Sequence, residues 1–494
     1  MRVEMCFVMR VLMRAIRAAI VLACAVPSAA TAQAFDLVIR GGTVVDGTGA
    51  PRRRADVGIA GDRIVAVAPS LAPGSAPVID ATGLVVAPGF IDNHAHLVTL
   101  EAHPLAENFI RQGITTIMAS LHSQDEPWPL DAYAARVTMA PNVALFAGHT
   151  WIRKRVMGLA NRAPTAAELA WMRALVDSSM RQGAFGLATG LEYVPASFAT
   201  TDEVVALATG AAQFGRTRES LARIDAANAT GVRVAHDLYP YTAFSTYSDL
   251  MFPAWALADG AAAFARRLDD PATRARLVAE MVKMFPEQAG KGPESIQFRE
   301  MPNAVAPQGR TLADYLRTRG EPTTIAGAVE ALIRLQRDGG FVGIFHAMDE
   351  ADVARVMRHP LAMFETDGDL IERNAGFPHP RSLGSFPRIL GRYVRERRVL
   401  TLEQAVHKMT AQPAAWWGLA DRGRIATGVR ADLVLFDARR VGDAGSYADP
   451  HHDPTGIRCV LVNGRIVLAA GAMTGEKPGE FLRRPERERQ APQR

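Results

Sequence analysis

Two histidines one residue apart close an apolar run, Ala-Pro-Gly-Phe-Ile-Asp-Asn-His-Ala-His, at Ala87–His96. Side chains at i and i+2 of a β-strand share a face. His94 and His96 can therefore reach one metal ion together from a strand end. A second apolar run, Leu361–Thr366, ends in Asp367, and Gly368 behind it permits a tight turn. A divalent metal makes water acidic enough to attack at neutral pH, and a nearby carboxylate can take the released proton. Downstream, His379-Pro380-Arg381 supplies a guanidinium whose planar fork binds carboxylates at two points.

The elements that must carry these residues follow from periodicity. Phe35–Arg40 and Asp62–Val67 alternate as strands, and so do Gly428–Phe436 and Val460–Val467, the last interrupted by the hairpin signal Asn463-Gly464. The two chain ends are expected to form one small β-sandwich, from residues 33–87 and 423–480, with a polar tail at 481–494. Between them strands alternate with helical patterns, which predicts an α/β domain with a parallel sheet or barrel over residues 88–422. Its expected strand ends are His94, Ala119, His149, Thr189, Tyr239, His346 and Asp367, the end at which such barrels carry their chemistry. Leu257–Thr324 reads as a mostly helical insertion over the barrel mouth.

Composition narrows the function classes. The formal net charge is +5. Arg2, Arg10, Arg14 and Arg17 against Glu4 place three of those charges in the first 32 residues. The remainder is too small to suggest a nucleic-acid partner. That segment has basic residues, an apolar stretch at Ala18–Val26 and small residues at Ala30-Thr31-Ala32, the pattern of a secretory signal peptide over 1–32. The apolar stretch is too short for a stable membrane span, so a periplasmic or secreted protein is expected. Of three cysteines, only Cys459 lies beyond this segment, so no intrachain disulfide is expected.

The string Ala87–His96 resembles the first-strand metal motif of the amidohydrolase superfamily. Gly190-Leu191-Glu192-Tyr193-Val194-Pro195, Tyr239-Pro240-Tyr241-Thr242-Ala243 and His379-Pro380-Arg381 together resemble the N-acyl-D-amino-acid deacylases (D-aminoacylases). The resemblance implies a (β/α)8 TIM-like barrel with a split β-sandwich, zinc as cofactor, and a small-molecule N-acyl amino acid as substrate. It makes His94, His96 and Asp367 metal ligands, Asp367 the catalytic proton acceptor, and Arg381 the holder of the substrate carboxylate. Tyr239 and Ser245 match substrate-contacting positions, and Tyr193 shapes the pocket.

Two departures stand out. Where the family carries a metal-binding cysteine after the second strand, this chain has His122, the fourth candidate ligand; a neutral imidazole serves one ion, so one zinc is expected rather than a bridged pair. The family also has two further strands, each ending in a metal-binding histidine, that should fall between Glu203 and Gly231. No histidine lies between His149 and His236. One βαβ unit is missing, with the junction near Thr209–Gln213, and the barrel is expected to be incomplete to that extent. Two other readings stay open: a cyclic amide or ureide hydrolase of the hydantoinase or dihydroorotase type, and a degenerate binding remnant without activity. The first normally needs a bridging lysine, and none lies between Lys154 and Lys283.

Overall fold

The computed structural model of the chain describes residues 34–120, 127–207, 217–231, 233–301 and 308–484. The expected signal segment, His122 and the junction near Thr209–Gln213 lie outside the described residues.

The chain opens with strands β1 (Leu37–Val44), β2 (Arg53–Ala60), β3 (Arg63–Ala68), β4 (Val78–Asp80) and β5 (Val85–Pro88). β1 pairs antiparallel with β2, β2 antiparallel with β3, and β1 parallel with β5. Gly89 then turns the chain into β6 (Phe90–His96). A Cβ on Gly89 would sit 2.2 Å from Thr115 Oγ1, so the neighbouring strand leaves room only for glycine. β6, β7 (Ile114–Ala119) and β8 (Asn142–Leu145) are parallel neighbours. Every residue of β7 and β8 is buried, as strands covered on both faces must be. β9 (Ala147–Gly148) pairs in parallel with β10 (Leu187–Ala188). The helix between them, Ala166–Arg181, starts at a capping box of Thr165 and Glu168 that satisfies its first free N–H groups.

β11 (His236–Leu238) is followed by β12 (Phe244–Tyr247), β13 (Ile296–Glu300) and β14 (Val342–Phe345). These last three form a separate antiparallel sheet in the order β12-β14-β13. The chain then returns through β15 (Ala362–Phe364), parallel to β11, and β16 (Gly368–Asp369), parallel to β6. Among the described residues no strand lies between Ala188 and His236. That stretch holds a 3-10 turn, Ala196–Phe198, and the helices Thr201–Leu207 and Thr217–Ala229. β10 pairs only with β9, and β11 only with β15, among the described residues.

The far end supplies β17 (Leu433–Phe436), β18 (Ile457–Val462), β19 (Arg465–Ala469), β20 (Ala472–Met473) and β21 (Phe481–Leu482). β17 lies antiparallel to β5, so both chain ends join one continuous nine-stranded sheet. Ile64 of β3 exchanges hydrogen bonds with Gly428 and Val429, which bends the sheet back towards the start of β17. Leu37, Ile39, Val57, Leu433, Leu435 and Leu461 share its core.

Three expectations need correction. The strand ending at His346 belongs to the inserted antiparallel sheet, not to the barrel; Val342–Phe345 is as apolar as a barrel strand, and periodicity cannot tell the two apart. The insertion is also wider than 257–324, because Met251, Phe341 and Phe345 share its core with Phe285 and Leu332. Finally, the segment from residue 481 does not begin as a polar tail. Phe481 and Leu482 pair with Val143 and Ala144 of β8, and the Phe481 ring lies 5.6 Å from that of Tyr133. Pairing with β8 and partial burial of those two apolar side chains outweigh the polarity of their neighbours.

Gly89→Ala is expected to lower the unfolding free energy by about 1–3 kcal/mol through overpacking against Thr115. Urea denaturation of the variant checks this; unchanged stability would show that the two strands part freely.

Candidate metal centre and substrate pocket

The site begins as a seam between the first and last barrel strands. Gly368 and Asp369 pair with Ala95 and His96, and Asp367 N donates to His94 O at 2.9 Å. Beneath the seam, fully buried Asp92 accepts from Thr366 Oγ1 at 2.6 Å, Thr366 N at 2.9 Å and His94 N at 3.3 Å. Asn93 Nδ2 donates to Phe364 O at 2.8 Å. These bonds fix the strand carrying the histidines to the chain entering Asp367. Asp367 itself has a φ of +46°. A residue with a Cβ is strained in that region and stays there only where its surroundings impose it.

The seam sets His96 Nε2 3.0 Å and His94 Nε2 3.6 Å from Asp367 Oδ1. One ligand atom from each of the three residues lies within 4.8 Å of the others. Two imidazole nitrogens and one carboxylate oxygen form a donor set suited to zinc, with a position left for water or substrate. His122 lies outside the described residues.

Burial and charge act against one another here. Burial alone would raise the Asp367 carboxyl, but Arg381 and the His96 hydrogen bond hold it far below the usual carboxylate range. Burial pushes the His94 imidazole down to about 4, against the opposing charge of Asp367. His96 goes the other way: its hydrogen bond to Asp367 and that residue's charge outweigh burial and raise it. Burial also pushes Asp237 up to about 6 and Glu365 well above the carboxylate range, with the charge of Asp367 adding to both. Against burial, Arg299 holds the Asp369 carboxyl below its usual range, so the negative charge of this region sits on Asp367 and Asp369.

Arg381 opens the helix Arg381–Arg388 and is 4% exposed. Its Nη1 lies 2.7 Å from Asp367 Oδ2, its Nη2 donates to Ser245 O at 3.3 Å, and its guanidinium stands 4.9 Å from the centre of the Tyr239 ring. Burial raises the Tyr239 phenol, so its hydroxyl stays protonated. Tyr193 accepts a hydrogen bond from Thr246 Oγ1 at 2.8 Å, and its ring meets that of Tyr247 edge-on at 5.9 Å. His96, Asp367, Arg381, Ser245 and Tyr193 share one pocket of about 240 Å³.

Among the described residues the other histidines do not join them. His346 Nε2 lies 3.2 Å from Gln297 Oε1, His236 Nε2 lies 3.0 Å from His359 Nδ1, and His452 pairs with Asp449. His149 is wholly buried between Thr189 and Glu203, and Glu203 in turn pairs with Arg153. Two residues of the same pocket escaped sequence reasoning. Arg299 on β13 pairs with Asp369, and its Nη1 donates to Ser245 Oγ at 3.3 Å. No motif marks Arg299; only its position between buried Phe298 and the pocket reveals it.

His94→Ala, His96→Ala and Asp367→Ala are each expected to abolish tight zinc binding, while His452→Ala leaves it intact. Metal analysis of purified, monodisperse protein checks this, and zinc retained by all three variants would place the metal elsewhere.

Comparison with known proteins agrees with this geometry. The Amidohydrolase family matches residues 377–468. An N-acyl-D-aspartate deacylase of Alcaligenes xylosoxydans xylosoxydans is 34% identical over 526 residues, covering 92% of this chain and 96% of the relative. A D-aminoacylase of the same organism is 32% identical over 530 residues, covering 92% and 99%. The crystal structure of N-acyl-D-glutamate deacylase from Bordetella bronchiseptica, complexed with zinc and a phosphonate inhibitor, superposes with a TM-score of 0.74 at 32% identity, covering 91% of this chain and 100% of that one. The aligned length of 526 exceeds the 494 residues of the chain, so the relatives contain positions with no counterpart here. With near-complete coverage at this identity, the chain belongs to the D-aminoacylase branch of the amidohydrolases.

Proposed function

We propose that this protein hydrolyses the amide of N-acyl-D-amino acids with acidic side chains, using a single zinc ion. The observation that carries the reading is the sharing of one pocket by the Asp367 seam and two guanidiniums, Arg381 and Arg299. The relatives named for N-acyl-D-aspartate and N-acyl-D-glutamate support both the D configuration and the acidic side chain.

His94, His96 and Asp367 would hold the ion. When bound, zinc lowers the pKa of water and polarises a carbonyl group. Asp367 accepts the proton of the attacking water and returns it to the leaving amine. In the structure the Arg381 guanidinium rests on Asp367 Oδ2; the substrate α-carboxylate takes its place there through the same fork. The protonated Tyr239 hydroxyl donates to the amide oxygen as charge builds on it. Arg299, stationed by Asp369, receives the side-chain carboxylate.

A binding remnant without turnover is the second reading, favoured by the lack of described strands between Ala188 and His236. It retains a pocket but predicts no hydrolysis by zinc-loaded protein. The basic, apolar N-terminal segment supports export to the periplasm or beyond, and the intact mass of the mature protein from a native host tests that separately.

The zinc-loaded protein is expected to cleave N-acetyl-D-aspartate and N-acetyl-D-glutamate in preference to their L forms. Arg381→Met is expected to lower kcat/KM about 100-fold, the scale of a charge-assisted hydrogen bond. Asp367→Asn is expected to lower kcat by about 10²–10⁴ through loss of the proton acceptor. Steady-state kinetics checks all of these, and an inactive zinc-loaded wild type would overturn the reading.

A further inference from the structure

The loop between β17 and β18 reaches out of the terminal sheet and places Tyr447 against the inserted sheet. Tyr447 Oη accepts two backbone hydrogen bonds, from Thr242 N at 3.1 Å and Ala243 N at 3.0 Å. Ala243 is fully buried, and its carbonyl accepts from His379 Nε2 at 3.0 Å. His379 Nδ1 in turn accepts from Arg381 N at 3.0 Å. Because Nδ1 accepts, the ring proton must sit on Nε2, where Ala243 O needs it. Burial and the neighbouring Arg381 hold His379 well below the usual histidine range, which keeps this tautomer neutral.

Both ends of residue 243 are thus pinned, its N–H by Tyr447 and its C=O by His379. Two residues on, Ser245 O receives Arg381 Nη2. The rings close the arrangement: Tyr447 lies 5.3 Å from His379, and Tyr241, whose hydroxyl donates to Pro380 O at 3.2 Å, lies 5.5 Å from His379. The same loop is anchored nearby, where Asp443 pairs with Arg388 at 2.7 Å.

We propose that Tyr447 and His379 are positioning residues forming a latch, which sets the distance between the two walls of the carboxylate pocket, Ser245 on the inserted sheet and Arg381 on the barrel helix. Neither touches the reacting atoms. The segment between β17 and β18 thereby controls substrate affinity from outside the barrel. Loss of the Tyr447 hydroxyl removes the acceptor of the half-buried Thr242 N–H and of the Ala243 N–H in the core, enough to let Thr242–Ser245 relax.

The latch rests on the deacylase reading, so its test has an arm independent of activity. Tyr447→Phe and His379→Asn are compared with wild type on N-acetyl-D-aspartate and on its α-amide. Each variant is expected to raise KM for the carboxylate about 10-fold with kcat within about 3-fold, and to lose discrimination against the amide by the same factor. The double variant is expected to be little worse than the poorer single one, because both act on one peptide segment. Unchanged KM in folded variants, or a fall in kcat alone, overturns the latch. If wild type cleaves neither compound, the deacylase reading fails, and hydrogen exchange of residues 242–245 decides: faster exchange in Tyr447→Phe supports the latch, and unchanged exchange overturns it.

Discussion

The contact on which the rest depends is the seam at Asp367. One carboxylate receives His96 and His94 through Oδ1 and Arg381 through Oδ2, from a backbone with positive φ. Desolvation opposes burying that charge, and the guanidinium of Arg381 leads the groups that reverse the balance, followed by the His96 hydrogen bond and the two imidazoles. The strands exist, in effect, to deliver those partners. The Thr366–Asp92 bonds tie the first strand to the chain entering Asp367, and the glycine at residue 89 lets it close on the second strand at Thr115. A shift by one residue would turn both histidines away from the seam.

Around this seam three separate pieces of chain build one pocket. The barrel gives the histidines, Asp367 and Arg381. The inserted sheet gives Ser245 and Arg299. The loop between β17 and β18 braces the inserted sheet from behind, where Tyr447 accepts from Thr242 N and Ala243 N. The pocket's shape is therefore a matter of how these layers are held together, and its two guanidiniums, Arg381 and Arg299, are kept in place by protein carboxylates, Asp367 and Asp369. Among the described residues, the contacts that join His94, His96 and Asp367 come from Asp92–His96, Phe364–Asp369 and Arg381, and none from the stretch between Ala188 and His236.

Much of this was legible in the residues. His94 and His96 follow from the two-residue period of a strand, and Asp367 from an acid closing an apolar run. Arg381 and Tyr239 came through the motif strings, and the structure stacks one on the other. The pairing of the two chain ends was visible in their alternation. What escaped depends on contacts between segments far apart in the chain, which leave no local pattern. Arg299 is an ordinary strand residue until the inserted sheet turns it to the pocket. Tyr447 lies in a polar loop whose partners are 200 residues away. His346 misled because an apolar strand looks alike in a parallel barrel and in an antiparallel sheet, and Phe481–Leu482 was hidden by the charged residues around it.

The claim that the seam is a zinc centre is tested most directly by X-ray absorption at the zinc edge on protein holding stoichiometric zinc. The expected shell is four-coordinate, with imidazole scattering from His94 and His96 and light-atom oxygen from Asp367 and one exchangeable ligand. An imidazole-free, six-coordinate shell would contradict it, because the metal would then be bound away from the strands that the whole fold aligns.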